Sequence, residues 1–365
     1  RRFPSGNECC KMAAGGEGLL WSRRRDGEGF LCVRLGTGEI PFQAGIRMPG
    51  GLRAWSSNGM AERAFGLQEQ YRILHRAPVC VDMRKKGVIG LLGGAGKKGA
   101  YETARNIIAQ IAAAFCYTDV KMAFIYEKEK GRDGVWSFAR WLPHVWTEDG
   151  RRRMLAGDKR QTRELSCELA GVFRDRASDG AGKNDSPFPH YVLFVDGREL
   201  LEGELLESFL LHPRPEYGVT CVLLEERYED LPYTCEYVIR RDGRTEEIVD
   251  MRGETEDRIQ HFESVPAEAL ERLVRGICGI RVNDGTGGKA VPEALSFLDL
   301  YGGCTPELLD VRGRWKANRS EESLRVPIGQ KAGGRLCFLD IHEKYHGPHG
   351  LAAGMTGSGK SELLQ

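Results

Sequence analysis

The amino-acid sequence predicts an α/β protein with a central parallel β-sheet. Between about 77 and 280, short apolar runs alternate with longer stretches of helical periodicity. The apolar runs are continuous, as in strands that are buried on both faces of a sheet. A small β-rich element is predicted before this domain. A glycine-rich loop near the last residues follows another apolar run and precedes a helix start, which predicts the opening of a second α/β domain.

Length and charge limit the functional classes. A chain of 365 residues corresponds to about two or three domains. Its 53 Lys and Arg nearly balance 52 Asp and Glu, so no basic excess indicates a nucleic-acid coat. Three short basic runs are interpreted as solvated turns, with contact to lipid headgroups or a partner as the alternative: Arg23–Arg25, Arg84–Lys86 and Arg151–Arg153.

Cysteine spacing and hydropathy predict the compartment. The 11 cysteines are scattered, without a C-x-x-C pair, which favours reduced, mostly buried thiols over disulfides or a zinc ribbon. No apolar run reaches the roughly 18–20 residues that span a bilayer. We therefore expect a soluble segment in a cytosolic setting, with both of its ends cut from a longer protein.

The first 76 residues are predicted to contain two parts. Residues 1–18 are small, polar and glycine-rich, so we expect a disordered linker. Residues 19–76 are predicted to form a small β-rich and helical element. Alternation in Phe30–Leu35, a Gly-Thr-Gly break and a Pro-Gly-Gly break indicate its β part, and apolar spacing predicts a helix over Glu62–His75.

Residues 77–284 are predicted to form the central α/β domain. Its predicted strands are Val79–Met83, Val88–Leu92, Val120–Tyr126, Tyr191–Asp196, Val219–Leu224 and Tyr237–Ile239. Its predicted helices are Tyr101–Tyr117, Lys159–Arg176 and Leu200–Leu211. This is the arrangement of a P-loop ATPase.

The central domain lacks the residues that such an ATPase uses. Its loop Gly93–Ala100 has Lys98 where a Ser or Thr must hold Mg²⁺. The residue five positions before Gly96, where the motif requires its first glycine, is Leu91. Asp196 ends a strand at the position of a Walker B aspartate, but Gly197 follows it instead of a catalytic Glu. We therefore expect a degenerate, catalytically silent domain. The alternative is that Lys97 and Lys98 still bind a nucleotide weakly.

A complete phosphate-binding motif, G-x-x-x-x-G-K-[ST], is present in residues 285–365. Its residues are Gly354, Met355, Thr356, Gly357, Ser358, Gly359, Lys360 and Ser361. The glycines allow backbone N–H groups to face phosphate oxygens, Lys360 reaches the β- and γ-phosphates, and the Ser361 hydroxyl binds Mg²⁺. Nucleoside triphosphate and Mg²⁺ are thus the expected ligands. The catalytic carboxylates and an arginine finger are expected beyond Gln365, so no catalytic residue is assigned here.

His342-Glu343-Lys344-Tyr345-His346 also matches H-E-x-x-H, the zinc-hydrolase pattern. That chemistry requires a helix, whereas the six preceding residues favour a strand and Gly347-Pro348 would end a helix at once. We interpret these histidines as part of a turn that leads to the phosphate-binding loop.

Several segments carry a family resemblance. The stretch from His342 through Glu362 resembles the FtsK/SpoIIIE ATPases, and among them the EssC-type ATPases of type VII secretion. Leu20-Trp21 and Phe30–Gly38 are similar to the segment that follows the membrane helices in that family. Arg314-Trp315 and Val326–Gly329 are similar to the approach to its first ATPase site.

The resemblance implies a RecA/FtsK-like fold and an ATP-dependent motor. The implied protein is the cytoplasmic portion of a bacterial cell-membrane protein that assembles as a homo-oligomeric, hexameric ring. It acts with other type VII secretion membrane components and exports WXG100-type substrates. A degenerate ATPase-like domain ahead of the active ones is a property of this family. Two alternatives remain at this point: a DNA translocase of the same superfamily, whose partner is nucleic acid, and a non-enzymatic assembly module.

Overall fold

The computed structural model describes residues 3–15, 20–25, 27, 29–42, 60–178, 187–253, 257–282, 295–301, 305–306, 309–321, 323–330, 336–343, 347 and 349–351. Contacts divide the chain into a first unit, Arg1–Ile280, and a second unit, Arg281–Gln365. In the first unit the elements are α1 (Gly6–Gly15), β1 (Cys32–Pro41), α2 (Met60–Gln70), β2 (Ile73–Asp82), β3 (Val88–Leu92), α3 (Lys98–Ala114), β4 (Val120–Tyr126), α4 (Asp133–Trp136), β5 (Leu155–Ala156), α5 (Lys159–Ser178), β6 (His190–Asp196), α6 (Leu205–Leu211), β7 (Val219–Glu225), β8 (Tyr237–Arg241), β9 (Glu246–Asp250), β10 (Arg258–Phe262) and α7 (Ala267–Ile277).

A large mixed sheet forms the centre of the first unit. In the described residues it has seven strands in the order β5-β4-β6-β7-β3-β8-β9. All neighbouring strands are parallel except the edge hairpin β8–β9. The predicted α/β class with a largely parallel sheet is confirmed. The loops that follow β3, β6 and β7 meet at one end of the sheet, where a P-loop protein binds its nucleotide.

Side chains of the central strands alternate between two apolar cores. Met122 and Phe124 of β4 pack in the core that contains α1, α3 and α7. Ala123 and Ile125 of the same strand pack in the other core, with α5 and α6. Burial on both faces explains why β4, β6 and β7 are almost entirely apolar in sequence.

The N-terminal segment differs from the prediction. Gly6–Gly15, expected to be part of a disordered linker, is helix α1. Cys9 and Cys10 are buried in the core with α3 and α7, and the Asn7 side chain donates to the Ser264 carbonyl at 2.9 Å. The polar, glycine-rich composition predicted disorder. The contacts that stabilise α1 come from distant parts of the chain, so the local composition could not show them.

The small β element joins both ends of the first unit. Strand β1 pairs antiparallel with β2 and, on its other edge, with β10, so the three-stranded sheet in the described residues has the order β10-β1-β2. The predicted boundary at 76 therefore lies inside β2. The helix predicted over Glu62–His75 ends at Gln70, because Ile73 already belongs to β2.

Most central elements lie where they were predicted. Strand β4 has its predicted bounds, and α3 is displaced by three residues toward the N-terminus. The helix predicted over Leu200–Leu211 begins with a short 3₁₀ turn at Arg198–Leu200, and only Leu205–Leu211 is α-helical. Strands β9 and β10 and helix α7 were not predicted.

The second unit contains helix α8 (Val311–Ala317) and an antiparallel hairpin of β11 (Arg325–Gln330) and β12 (Leu336–Asp340). The Asp310 side chain accepts from the Gly313 N–H and so caps α8. Residues Asp299–Tyr301 form a 3₁₀ turn. Strand β12 lies at the apolar run that precedes the phosphate-binding motif in the sequence.

The cysteines of the described residues differ in their exposure. Ten cysteines there are free thiols: five are buried, three are half-buried, and Cys167 and Cys278 are exposed. Burial is thus less general than the prediction of mostly buried thiols. Among the described helices, none combines the length and apolar composition needed to cross a bilayer.

Candidate functional site

The predicted phosphate-binding residues Gly354, Met355, Thr356, Gly357, Ser358, Gly359, Lys360 and Ser361 lie outside the described residues. The second unit is described up to Leu351, with gaps. The functional geometry that the structure does describe is the corresponding place in the first unit. There the loop Gly93–Lys97 connects β3 to α3 in the strand, loop and helix order of a nucleotide site.

This loop is a compact turn. The Gly93 N–H donates to the Glu225 carbonyl at 3.1 Å, and the Lys97 N–H donates to the Gly94 carbonyl at 2.8 Å. Lys97 has a left-handed backbone with φ of 56°, which is uncommon for a residue with a side chain. The turn directs the Lys97 side chain toward the ends of β6 and β7, away from solvent.

The Lys97 ammonium is buried and bound by this chain's own oxygens. Its Nζ lies 3.2 Å from Asp196 Oδ1, 3.2 Å from Glu225 Oε2 and 2.5 Å from the Leu224 carbonyl oxygen. The side chain is only 6% exposed. An ammonium has three N–H donors, and three oxygens already surround this one. No donor remains for a phosphate in this arrangement.

Asp196 is equally enclosed. Its Oδ2 accepts from the Tyr101 hydroxyl at 2.9 Å and from Trp136 Nε1 at 3.0 Å. Arg132 Nη1 lies 3.0 Å from the other oxygen, Oδ1. Burial, together with the charge of Asp196 and its hydrogen bond, raises the pKa of Tyr101, so this hydroxyl stays a donor. A Walker B aspartate instead needs a free oxygen facing the metal and its water.

Two consecutive glutamates fill the space around the loop. Besides Glu225 on Lys97, Glu226 Oε1 accepts from the Gly96 N–H at 3.0 Å, which is the type of bond a phosphate oxygen makes in a working site. Burial raises the pKa of Glu225, and Lys97 opposes that shift. Lys98, by contrast, is exposed at the start of α3.

The space that a side chain at Gly197, the residue after Asp196, would need is also occupied. A Cβ added to Gly197 would lie 2.7 Å from Glu127 Cγ. Glu127 is itself paired with Arg132 at 2.9 Å and with Lys130 at 2.8 Å. The position of the missing catalytic glutamate is therefore occupied by a carboxylate that already has cationic partners.

Sequence reasoning identified only part of this cluster. It singled out Lys97, Lys98, Asp196 and Gly197, and the structure brings three of them together and leaves Lys98 outside. It missed the other contributors, which are Tyr101, Glu127, Arg132, Trp136, Glu225 and Glu226. The pair Glu225-Glu226 was detectable, since it directly follows an apolar strand that the topology places beside the loop.

The H-E-x-x-H segment is described only at its start. His342 and Glu343 follow β12 in a bend and a turn, not in a helix. His342 Nε2 lies 3.0 Å from the Glu321 carbonyl oxygen, and its backbone N–H donates to Asp340 Oδ1 at 3.0 Å. Residues 344–346 lie outside the described residues. The turn interpretation fits both contacts, and among the described residues no group of three metal-ligating side chains occurs.

Comparison with known proteins supplies the relatives. No protein-family model matches the chain. It is 27% identical to the ESX secretion system protein YukB of Bacillus subtilis strain 168 over 369 residues, which is 100% of this chain and 24% of YukB. It is 27% identical to the ESX secretion system protein EccC of Geobacillus thermodenitrificans over 370 residues, 100% of this chain and 24% of EccC.

A third relative is the type VII secretion system protein EssC of Staphylococcus aureus strain NCTC 8325, 25% identical over 312 residues, 82% of this chain and 20% of EssC. Among solved structures, EssC (ATPases 2 and 3) from Geobacillus thermodenitrificans aligns at 12% identity over 88% of this chain and 61% of that one, with a TM-score of 0.46, too low to establish a shared fold. The chain spans about a quarter of the curated relatives' length. The chain is similar over all of its residues to the ESX secretion system proteins YukB and EccC, and over 82% of its residues to the type VII secretion system protein EssC.

Proposed function

We propose that this chain is part of the ATP-driven motor of a type VII secretion system. The observation on which this rests is the similarity to YukB and EccC, which extends over the whole chain and not only over its phosphate-binding motif. The proposed substrates are WXG100-type proteins. The proposed partners are other membrane components of the secretion system and further copies of the chain in a ring, a hexamer by family resemblance. The segment lies on the cytoplasmic side.

The two units have different roles in this proposal. In the second, Gly354–Ser361 binds ATP through its backbone N–H groups and Lys360, with Mg²⁺ on the Ser361 hydroxyl. In the first, the Lys97 cluster is a structural remnant, since Asp196, Glu225 and the Leu224 carbonyl take the donors of Lys97. The first unit acts through contacts with neighbouring units and does not hydrolyse ATP. We propose that the segment alone is inactive, because Gly197 follows Asp196 in the first unit where a carboxylate is required to polarise the attacking water.

DNA translocation is the alternative that the motif alone left open. The relatives described above are secretion-system proteins, so they give no support to it. The near balance of charge adds none.

The test replaces Lys360 by Ala in the full-length protein. Loss of a charge-assisted contact should weaken ATP binding at this site by about tenfold to a hundredfold and reduce export of a WXG100-type protein. Lys98→Ala is the matched control, because it removes an exposed lysine from the degenerate loop. Equal ATP affinity in Lys360→Ala and the parent would refute the assignment of this loop. Turnover stimulated by duplex DNA but not by a WXG100-type protein would favour the translocase.

A further inference from the structure

A cavity of about 600 Å³ lies in the first unit at the opposite end of the large sheet from the Lys97 cluster. Its wall includes the residues at which three parallel strands begin: Val88 of β3, His190 of β6 and Val219 of β7. The Lys97 cluster contacts the carboxyl ends of the same strands. The cavity is thus separate from the nucleotide position of the fold.

Positive charge dominates the cavity wall. In the described residues its basic side chains are Arg84, Lys85, Arg214 and Arg252, against the single carboxylate of Glu236. Glu236 pairs with Arg252. Lys85 and Arg214 have carboxylate neighbours only at 3.7 Å and 3.8 Å, and both are mostly exposed. Arg84 rests over the Phe30 ring, and among the described ion pairs none includes it.

His190 places a hydrogen-bond acceptor in this positive surrounding. The Thr220 hydroxyl donates its only hydrogen to the Met83 carbonyl at 2.6 Å, so it must accept from His190 Nε2, 2.9 Å away. His190 Nε2 therefore carries the proton and Nδ1 carries a lone pair. Burial, with Arg176 and Arg84 nearby, lowers the pKa of His190 to about 3, which keeps the ring neutral.

Two residues of the cavity wall each have a buried polar atom without a hydrogen-bond partner in the part of the chain that the structure describes. These atoms are His190 Nδ1 and Thr234 Oγ1. Buried polar atoms are almost always hydrogen-bonded, and an exception needs an explanation such as a ligand or an ordered water. Tyr233 beside Thr234 is 91% exposed, and its ring lies 6.2 Å from the His212 ring. An exposed aromatic ring at the cavity is available to stack on a planar group.

We propose that this cavity binds a small molecule that carries a phosphate and, next to it, a hydroxyl or N–H donor. Clustered guanidinium and ammonium groups recognise phosphate oxygens, and Arg84, which has no ion-pair partner among the described residues, supplies a charge for this contact. The donor of the ligand reaches His190 Nδ1, which only accepts. Since that atom has no accessible surface, binding includes a shift of the side chains that cover it. A nucleoside monophosphate and a glycerol-phosphate headgroup both have this chemistry.

The experiment is calorimetric titration of the 365-residue chain carrying Lys360→Ala, so that the phosphate-binding motif contributes little. The probes are inorganic phosphate, AMP and glycerol 3-phosphate. Arg84→Gln and Arg214→Gln each remove one cation from the cavity wall. Arg160→Gln is the control, because Arg160 is 86% exposed on α5 and lies outside the cavity. Thermal unfolding checks that each variant is folded, and Arg214, 66% exposed, provides a second test if Arg84→Gln unfolds.

We expect saturable binding of AMP or glycerol 3-phosphate at about 1 mM or below. Both cavity variants should weaken it about tenfold or more, and Arg160→Gln should leave it unchanged. Tighter binding of AMP identifies a nucleotide as the source of the phosphate, and tighter binding of glycerol 3-phosphate identifies a lipid headgroup. No binding by either organic phosphate, affinity equal to that of inorganic phosphate, or equal affinity in the cavity variants and the parent would overturn the proposal.

Discussion

Lys97 is a lysine at the position of a phosphate-binding residue, but its contacts are those of a buried ion pair. Its position after a strand and before a helix is that of a phosphate-binding lysine. Its ammonium nevertheless forms ion pairs with Asp196 and Glu225 and donates a hydrogen bond to the Leu224 carbonyl. A buried ion pair of this kind is costly to break, since removing one partner leaves an uncompensated charge in a nonpolar surrounding. In this arrangement the N–H donors of the lysine face protein oxygens at the carboxyl ends of the central strands β6 and β7.

This interpretation predicts different effects for two adjacent lysines. Lys97→Met should lower the free energy of unfolding by about 3 kcal/mol, because Asp196 and Glu225 lose their shared cation while Arg132 still contacts Asp196. Lys98→Met, at an exposed position, should change it by less than about 0.5 kcal/mol. Urea unfolding of the two variants measures both values. Similar losses in both would mean that the cluster is not a stabilising ion pair.

A buried histidine predicts the pH dependence of stability. Burial lowers the pKa of His144 to about 4, whereas an unfolded histidine titrates near 6.5. As the pH falls from about 6.5 toward 4, the unfolded chain gains a proton that the folded chain excludes, so stability decreases; His190 contributes with the same sign. Between pH 7 and pH 5 the loss from His144 alone is about 2 kcal/mol.

Replacing His144 by Gln tests this assignment, because Gln retains a donor for the Phe115 carbonyl that His144 contacts at 2.9 Å. The urea midpoint of the variant should depend less on pH between 7 and 5 than that of the parent. His75→Gln, at a 67% exposed position, serves as the control. An unchanged pH slope in His144→Gln would show that another group causes the acid sensitivity.

At the scale of elements, the glycines of β1 determine how the small sheet assembles. The Gly-Thr-Gly sequence was interpreted as a break, but β1 continues through it with a register shift between Thr37 and Gly38. A Cβ on Gly36 would lie 2.0 Å from the His261 carbonyl oxygen, and one on Gly38 would lie 1.9 Å from that of Arg258. Because these glycines have no side chain, the backbone of β10 can approach the backbone of β1 closely.

Gly38→Ala should therefore disrupt the pairing of β1 with β10 and destabilise the first unit by about 2 kcal/mol or more. Gly171→Ala is the contrasting substitution, since Gly171 lies in α5 with no atom within 4 Å of an added Cβ. It should stabilise the protein by about 0.5–1 kcal/mol through helix propensity. Thermal unfolding followed by circular dichroism measures both shifts. A neutral Gly38→Ala would contradict the close approach of β10.

Elements with strong local patterns were predictable, and those that depend on distant contacts were not. Strand β4 was located to the residue because both of its faces are buried and its apolar run is continuous. Helix α1 was missed because the buried residues in its described part, 6–11, are two adjacent cysteines and a glycine, which give no helical period. Strand β10 was missed because its side chains are exposed or half-buried and its pairing partner lies at the other end of the unit.

At the scale of the molecule, the candidate site shows the same limit. The sequence predicted that the loop after β3 is degenerate, from Lys98 and from Gly197. It did not predict that Arg132, Trp136 and Tyr101 enclose Asp196, because these residues come from α3 and from the segment after β4 and meet only in the folded unit. The nucleotide site assigned to Lys360 and Ser361 remains a prediction.

Deleting residues 1–16 tests whether α1 belongs to the first unit. The deletion exposes the apolar surfaces of α3 and α7 that Cys9 and Cys10 cover, so we expect a loss of at least about 2 kcal/mol. Lys11→Ala, an exposed substitution on the same helix, should have little effect. Denaturant unfolding compares the two proteins. Equal stability of the deletion variant and the parent would return these residues to the linker that the composition suggested.

The pairing of β1 with β10 also has a consequence for synthesis. Residue 36 leaves the ribosome long before residue 262, its partner in the sheet. Until then β1 has β2 on one side and an open row of N–H and C=O groups on the other, which is a template for aggregation. Loop closure over such a distance is slow compared with local helix formation. The nascent chain is therefore expected to require chaperone protection until β10 has left the ribosome and paired with β1.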